Sequence, residues 1–140
     1  MENNSCGFKI LENHPADVRV YVRGKTKQKL FLNALLAMNK ILDPQIRTRV
    51  KSISRKIKIK SIDLNALIVD FLNEVLYQVQ TNKEIYFQVQ FKKFKDTEIN
   101  AELIGRPFES LKEDIKAATY HNLEIKRKKG FFETMILFDV

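Results

Sequence analysis

Ile115–Val140 reads IKAATYHNLEIKRKKGFFETMILFDV, and the rest of the chain is best understood outward from it. Two β-rich runs, Ala117 to Lys126 and Phe131 to Asp139, flank a charged segment that ends in Lys129-Gly130. Glycine accepts φ > 0 without a Cβ clash, so the simplest arrangement is a hairpin that turns at this dipeptide. The second run closes on Phe138-Asp139-Val140, which sets a carboxylate side chain beside a terminal carboxylate at the end of an apolar strand. Such a placement is costly unless solvent or a cation receives the charge.

Upstream, Phe8 to Leu11 and Val18 to Val22 are short β-prone runs. In the second, Val18, Val20 and Val22 share one face while Arg19, Tyr21 and Arg23 share the other, with Asp17 on the outward parity. Gly24 ends that strand, and Thr26 is the expected N-cap of a helix reaching about Leu42, where Asp43-Pro44 stops it. Leu30, Ala34, Leu35, Met38, Ile41 and Leu42 form its apolar stripe. Val50 to Lys60 turns strand-like, with Ile57 and Ile59 alternating against lysines. Asp63 then starts a second helix, whose Leu64, Leu67, Ile68, Phe71, Leu72, Val75, Leu76 and Val79 recur at helical spacing. Asp70, Asn73 and Glu74 lie off that stripe and read as a solvated face.

A strand from Ile85 to Lys95 follows, and Ile99 to Ile104 can pair with it. Gly105-Arg106-Pro107 reads as a break, and Leu111 to Lys116 as a short turn of helix. There is no regular βαβ repeat, so the expected class is α+β, a mostly antiparallel sheet covered by two main helices.

The 140 residues, 44% hydrophobic and 30% charged, suit a single domain over 1–140, with residues 1–7 a loosely held N-terminus. Met1 to Ser5 lacks the basic start and apolar run of a secretory signal. No segment approaches the roughly 18 uninterrupted apolar residues of a membrane span. Cys6 is the single cysteine, which excludes an internal disulfide and a cysteine-rich zinc site, and a reducing cytoplasm is the expected location.

The net charge of +8 is uneven. Gln45 to Lys60 carries Arg47, Arg49, Lys51, Arg55, Lys56, Lys58 and Lys60 and no acid. The first reading of this run is a solvated strand edge whose lysines discourage edge pairing. The second is a field that attracts polyanions, with RNA the obvious candidate.

The four glycines fall in no GxGxxG or Walker pattern, and the two histidines have no zinc-protease spacing. Nucleotide hydrolysis and autonomous hydrolase chemistry are therefore not expected. Asp17 and Asp139 remain. If their strands are neighbours, the two carboxylates and the Val140 terminus converge, and oxygen-only ligation suits Ca²⁺ or Mg²⁺. The alternative is a pair of ordinary turn and strand-end aspartates.

Three stretches carry a family resemblance. Ile115-Lys116-Ala117-Ala118-Thr119-Tyr120-His121, together with an end in Leu137-Phe138-Asp139-Val140, resembles the C-terminal half of the archease family. His14-Pro15-Ala16-Asp17-Val18 is similar to the family's His-Thr-Ala-Asp-Val, and Leu67 to Glu74 to its central helix. The resemblance spans about Phe8 to Val140. It implies an accessory protein, not an enzyme, that activates the GTP-dependent tRNA-splicing RNA ligase by promoting its guanylylation and multiple turnover. It further implies a divalent metal, Ca or Mg, on Asp17, Asp139 and Val140, and a partner-activating role for Lys116. His14 and His121 fall in the matched motifs, although His121 shares strand parity with Leu123 and Ile125 and reads as a hydrogen-bonded structural histidine. RNA is expected to be met mainly through the ligase, with at most weak direct contact, and no membrane is involved. A basic, sequence-indifferent RNA-binding module acting through Arg47 to Lys60 and Lys126 to Lys129 is the alternative. Pro15, Phe71 and Arg106 stand where the family has threonine, tryptophan and glutamate.

Overall fold

The computed structural model describes residues 7–13, 16–47 and 50–140. Cys6, His14, Pro15 and Arg49 lie outside them, as do residues 1–6 of the expected N-terminal tail. Nine strands and two helices follow one another among the described residues: β1 Phe8–Asn13, β2 Asp17–Gly24, α1 Lys27–Leu42, β3 Pro44–Ile46, β4 Ile53–Lys60, α2 Leu64–Asn82, β5 Glu84–Lys95, β6 Glu98–Leu111, β7 Ala117–Thr119, β8 Lys126–Lys128 and β9 Phe131–Asp139.

The strands form two sheets rather than one, and every pairing is antiparallel. The first runs β1-β2-β9-β7, with β8 also on β9; the second runs β3-β6-β4, with β5 on β6. Val18, Val20, Val22, Ile136 and Phe138 of the first sheet and Ile57, Ile59, Ile99, Ala101 and Leu103 of the second point into one core. Helix α1 packs on β2 and β5, and α2 on β4, β5 and β7. The helices therefore join the two sheets through a shared apolar layer.

Both helices start and stop as their local chemistry dictates. The Thr26 hydroxyl accepts from Lys29 N at 3.0 Å and the Asp63 carboxylate from Ala66 N at 2.8 Å, each satisfying a free N–H of a first turn. Asp43 and Lys83 end them in the left-handed region, at φ 48° and 55°. Phe71 is fully buried, its ring centroid 5.4 Å from that of Phe31 and 6.2 Å from that of Phe91.

Four expectations need correction. Ala117 to Lys126 is not one strand. Its two ends, β7 and β8, lie along β9, and between them the chain leaves the ladder with Asn122 at φ 53°. There Ile125 N donates to Asn65 Oδ1 and Thr134 Oγ1 to Glu124 O, so side chains satisfy main-chain groups that a strand would have paired. The hairpin itself stands: Lys129 and Gly130, both at positive φ (52° and 82°), form the two-residue loop between β8 and β9.

Gly105-Arg106-Pro107 does not interrupt the chain but lies inside β6. Gly105 sits between Ile53 of β4 and Tyr86 of β5, and a Cβ there would stand 1.9 Å from the Ile85 carbonyl oxygen. The glycine serves a close approach of strands. Leu111 to Lys116 is not helical; Lys112 N and Glu113 N donate to Leu42 O, tying this segment to the end of α1. Finally, the strand expected from Val50 begins at Ile53, and β3 was not anticipated. No helix among the described residues is long and apolar enough to cross a membrane.

Candidate functional site

The register of β2 against β9 places Asp17 directly opposite Asp139. Directly opposed residues share a face, with Cβ atoms about 4.5–5.5 Å apart. Val18 and Phe138, the next pair, are buried, so both aspartates project from the outer face of the first sheet, and each is half-buried. The outward parity of Asp17 and its closeness to Asp139 thus follow from one register.

Main-chain bonds close this end of the sheet. Val140 N donates to Ala16 O at 3.1 Å and Lys116 N to Asp139 O at 2.7 Å. Ala117 pairs with Asp139 from the other side, so Asp17, Asp139 and Ala117 form one row across three strands. Lys116 immediately precedes this third strand and is exposed. Asp17, Asp139, Val140 and Lys116 are therefore brought together, whereas His14 lies outside the described residues.

His121 does not take the structural position expected of it. The strand whose parity it was to share is absent, and the residue is exposed in the bend after β7. With Arg19, Asn122, Met135 and Leu137 it lines a shallow hollow of about 270 Å³ beside the aspartate row. Farther along this face the Tyr21 hydroxyl donates to Glu133 at 2.8 Å; burial, and then that bond, raise the phenol above its ordinary pKa.

Sequence reasoning missed the residues that fix Lys116 in place. Asn73 was read as solvated, yet its Nδ2 donates to Ala118 O at 3.0 Å and its Oδ1 accepts from Ala118 N at 2.8 Å. Its amide thus stands in for a neighbouring strand. Gln80 Nε2 donates to Ile115 O at 3.0 Å, and Asn65 holds Ile125 as described above. The available signal was a set of amide side chains flanking the apolar stripe of α2, where a freely solvated face usually carries charges. Asn73→Ala is expected to cost about 1–3 kcal/mol, because it unpairs a donor and an acceptor of β7. Amide hydrogen exchange at Ala118 checks this, and unchanged protection there would show that Asn73 does not hold the strand.

Among the described residues no three His, Cys, Asp or Glu side chains are grouped to hold a metal. The side-chain donors at this end are the two carboxylates of Asp17 and Asp139. Oxygen donors of this kind fit a hard divalent cation that keeps several waters, and they do not fit zinc.

A model of the archease protein family matches residues 8–140. Protein archease of Methanosarcina barkeri is 32% identical over 144 residues, covering 91% of this chain and 92% of the relative. Protein archease of Methanosarcina mazei is 31% identical over 153 residues and the full length of both. The solution structure of Methanobacterium thermoautotrophicum protein 1598 aligns with a TM-score of 0.69 at 25% identity, covering 96% of this chain and 99% of that one. The crystal structure of an archease from Thermotoga maritima, described as a possible chaperone, gives a TM-score of 0.69 at 17% identity and shares the fold over 94% of this chain and 97% of its own.

Proposed function

The chain belongs to the archease family, and from that membership we propose that it is an accessory protein that activates a GTP-dependent tRNA-splicing RNA ligase, promoting guanylylation and multiple turnover without covalent chemistry of its own. The observation that carries the proposal is the Asp17–Asp139 register, which sets two carboxylates side by side at an accessible sheet end, with Lys116 just ahead of the adjoining strand and bonded through its N–H to Asp139 O. Asp17, Asp139 and the Val140 carboxyl group would hold the cation. A divalent cation, Ca²⁺ or Mg²⁺, supplies charge there that can offset a triphosphate and its leaving group. The exposed Lys116, one residue before the row, would add a second positive charge. Asn73 and Gln80 keep the lysine-bearing segment in position, and the His121 hollow offers a partner a recess beside the row.

Two measurements test this. The first follows ligase guanylylation and multiple-turnover ligation with and without the protein; absence of any enhancement with the cognate ligase would sink the proposal. The second is thermal melting in Ca²⁺, Mg²⁺ or chelator. Metal at about 100 times its Kd should add roughly 2.7 kcal/mol. Asp17→Asn and Asp139→Asn should each abolish that gain together with ligase activation. Lys116→Ala should keep the gain and lose activation. Equal melting temperatures of the wild type in all three conditions would mean that these aspartates are not ligands.

A further inference from the structure

The outer face of the second sheet is a surface distinct from the one carrying Asp17 and Asp139, and its chemistry is strongly one-sided. The register sets Lys56 across from Glu102 and Gln90, Lys58 across from Asn100 and Lys93, and Lys60 across from Glu98 and Lys95. Lys92, the extra residue of a bulge in β5, is also exposed. Among these, Lys93 is paired with Glu98 at 3.2 Å, and its bond first, with Lys60 and Lys95 nearby, holds the Glu98 carboxyl below its ordinary pKa. Lys56, Lys58, Lys60 and Lys95 have no ion pair among the described residues. Arg55, by contrast, belongs to the opposite parity and is committed to Glu84. The basic run of the sequence is thus divided by its strand: the lysines of β4 face out and Arg55 does not.

In the middle of this face lies a hollow of about 510 Å³ whose rim is Lys56, Lys58, Lys92, Asn100 and Glu102, with Ile57 and Ala101 also in its lining. The Asn100 Oδ1 is buried there and finds no hydrogen-bond partner among the described residues. A buried acceptor left unpaired is costly, so a donor at this position is favourable.

We propose that this face is a docking surface for the backbone of RNA. Lys56, Lys58 and Lys60 lie on alternate residues of one strand, about 6.4–6.8 Å apart, a spacing comparable with that of successive phosphates along a nucleic-acid chain. Phosphates supply acceptors for the ammonium groups. The ribose 2′-hydroxyl is a donor for the Asn100 Oδ1 once the amide turns into the hollow, and deoxyribose has no such group. Protection of edge strands accounts for the lysines of β4 and β5, each of which pairs only with β6 among the described residues, but not for the unpaired amide on the central strand. The exposed aromatic side chains among the described residues, Tyr77 and Tyr120, lie on α2 and after β7 rather than on this face, and Ile46 stands at its β3 end, away from the lysine rows, so the rows offer no stacking platform for bases. Binding is therefore indifferent to sequence and sensitive to salt.

The test uses the whole chain without any ligase, so its outcome is independent of the activation assay. Fluorescence anisotropy is measured with a labelled single-stranded RNA, with DNA of the same sequence, and with phosphatidylserine vesicles, at two salt concentrations. The Lys56→Gln, Lys58→Gln, Lys92→Gln triple variant should bind RNA at least tenfold more weakly, with a salt slope shallower by about 2, as three lost contacts at about 0.7 each require. Asn100→Ala should narrow the RNA-over-DNA preference while keeping the slope. Lys126→Gln with Lys129→Gln, changed on the other basic segment, should stay within twofold of wild type. Thermal melting of each variant establishes that it is folded. Undiminished RNA binding by the folded triple variant overturns the proposal. So does equal wild-type affinity for RNA and DNA, or tighter binding to vesicles than to RNA.

Discussion

Gly105→Ala should destabilise the protein by more than about 3 kcal/mol, the upper end of the range for overpacking. The added Cβ would meet the Ile85 carbonyl oxygen at 1.9 Å and Tyr86 Cα at 2.8 Å. Both obstacles are main chain, so no side-chain rotation relieves them. Relief requires β5 to move away from β6 at the irregularity between Tyr86 and Gln88, and that movement breaks ladder bonds and shifts Ile85 and Tyr86, both fully buried. Urea denaturation followed by circular dichroism measures the effect. A midpoint equal to that of the wild type would show that β5 and β6 separate at little cost.

Arg55→Leu is the second large expectation, and its size should depend on pH. Arg55 donates from Nε and Nη2 to the Glu84 carboxylate at 2.9 and 2.7 Å, and the Tyr86 hydroxyl donates to the same carboxylate at 2.6 Å. Burial by itself raises the Glu84 pKa, but the bonds from Arg55 and Tyr86 together outweigh it and leave the group below its ordinary value. The same carboxylate, after burial, holds the Tyr86 phenol protonated well above its ordinary range.

Removing the guanidinium leaves a nearly buried carboxylate with one donor, the Tyr86 hydroxyl, and so destabilises the protein at neutral pH. In the wild type, Glu84 contributes stability that is fully present above the unfolded carboxyl pKa of about 4.3. It is lost as pH falls through the lowered folded value. In the variant burial prevails, the folded pKa lies above the unfolded one, and acidification from neutrality relieves the penalty. The stability difference between the two proteins should therefore shrink from pH 7 to pH 4. A difference that stays constant in urea titrations at both values would mean that Glu84 is not the group left stranded.

The parts of this fold that were legible in sequence are those set by neighbours along the chain. Thr26 and Asp63 announced helices because a capping oxygen serves N–H groups only three residues away. Val18, Val20 and Val22 announced a half-buried strand by parity, and Lys129-Gly130 a turn by its positive φ. What was not legible depends on partners distant in sequence. Gly105-Arg106-Pro107 looks like punctuation unless the Ile85 carbonyl is known to press against residue 105. Asn73 looks solvated unless β7 is known to lie beside α2. For the site, the outward parity of Asp17 and its candidate partner Asp139 were readable, but that their strands adjoin was not: the register opposing the two is fixed by the burial of Val18, Val20 and Val22 against Phe138, Ile136 and Thr134. A slip of one residue would turn all of these to the wrong face.

The pairing of β2 with β9 also governs the order in which the protein can assemble. Within the second sheet β5 and β6 need only a short turn to meet, while β4 and β3 reach β6 across the intervening helix α2 and strand β5. The first sheet must bring together segments as distant as Tyr21 and Glu133, 112 positions apart in the chain. Loop closure of that length is paid before the contacts it allows can form, so high contact order makes this the slow step. The local β5–β6 pairing needs no such closure, whereas the aspartate row does. Asp17 and Asp139 face one another only once the ladder between the two ends of the chain has closed, so the candidate centre exists only in a chain whose longest pairing is made.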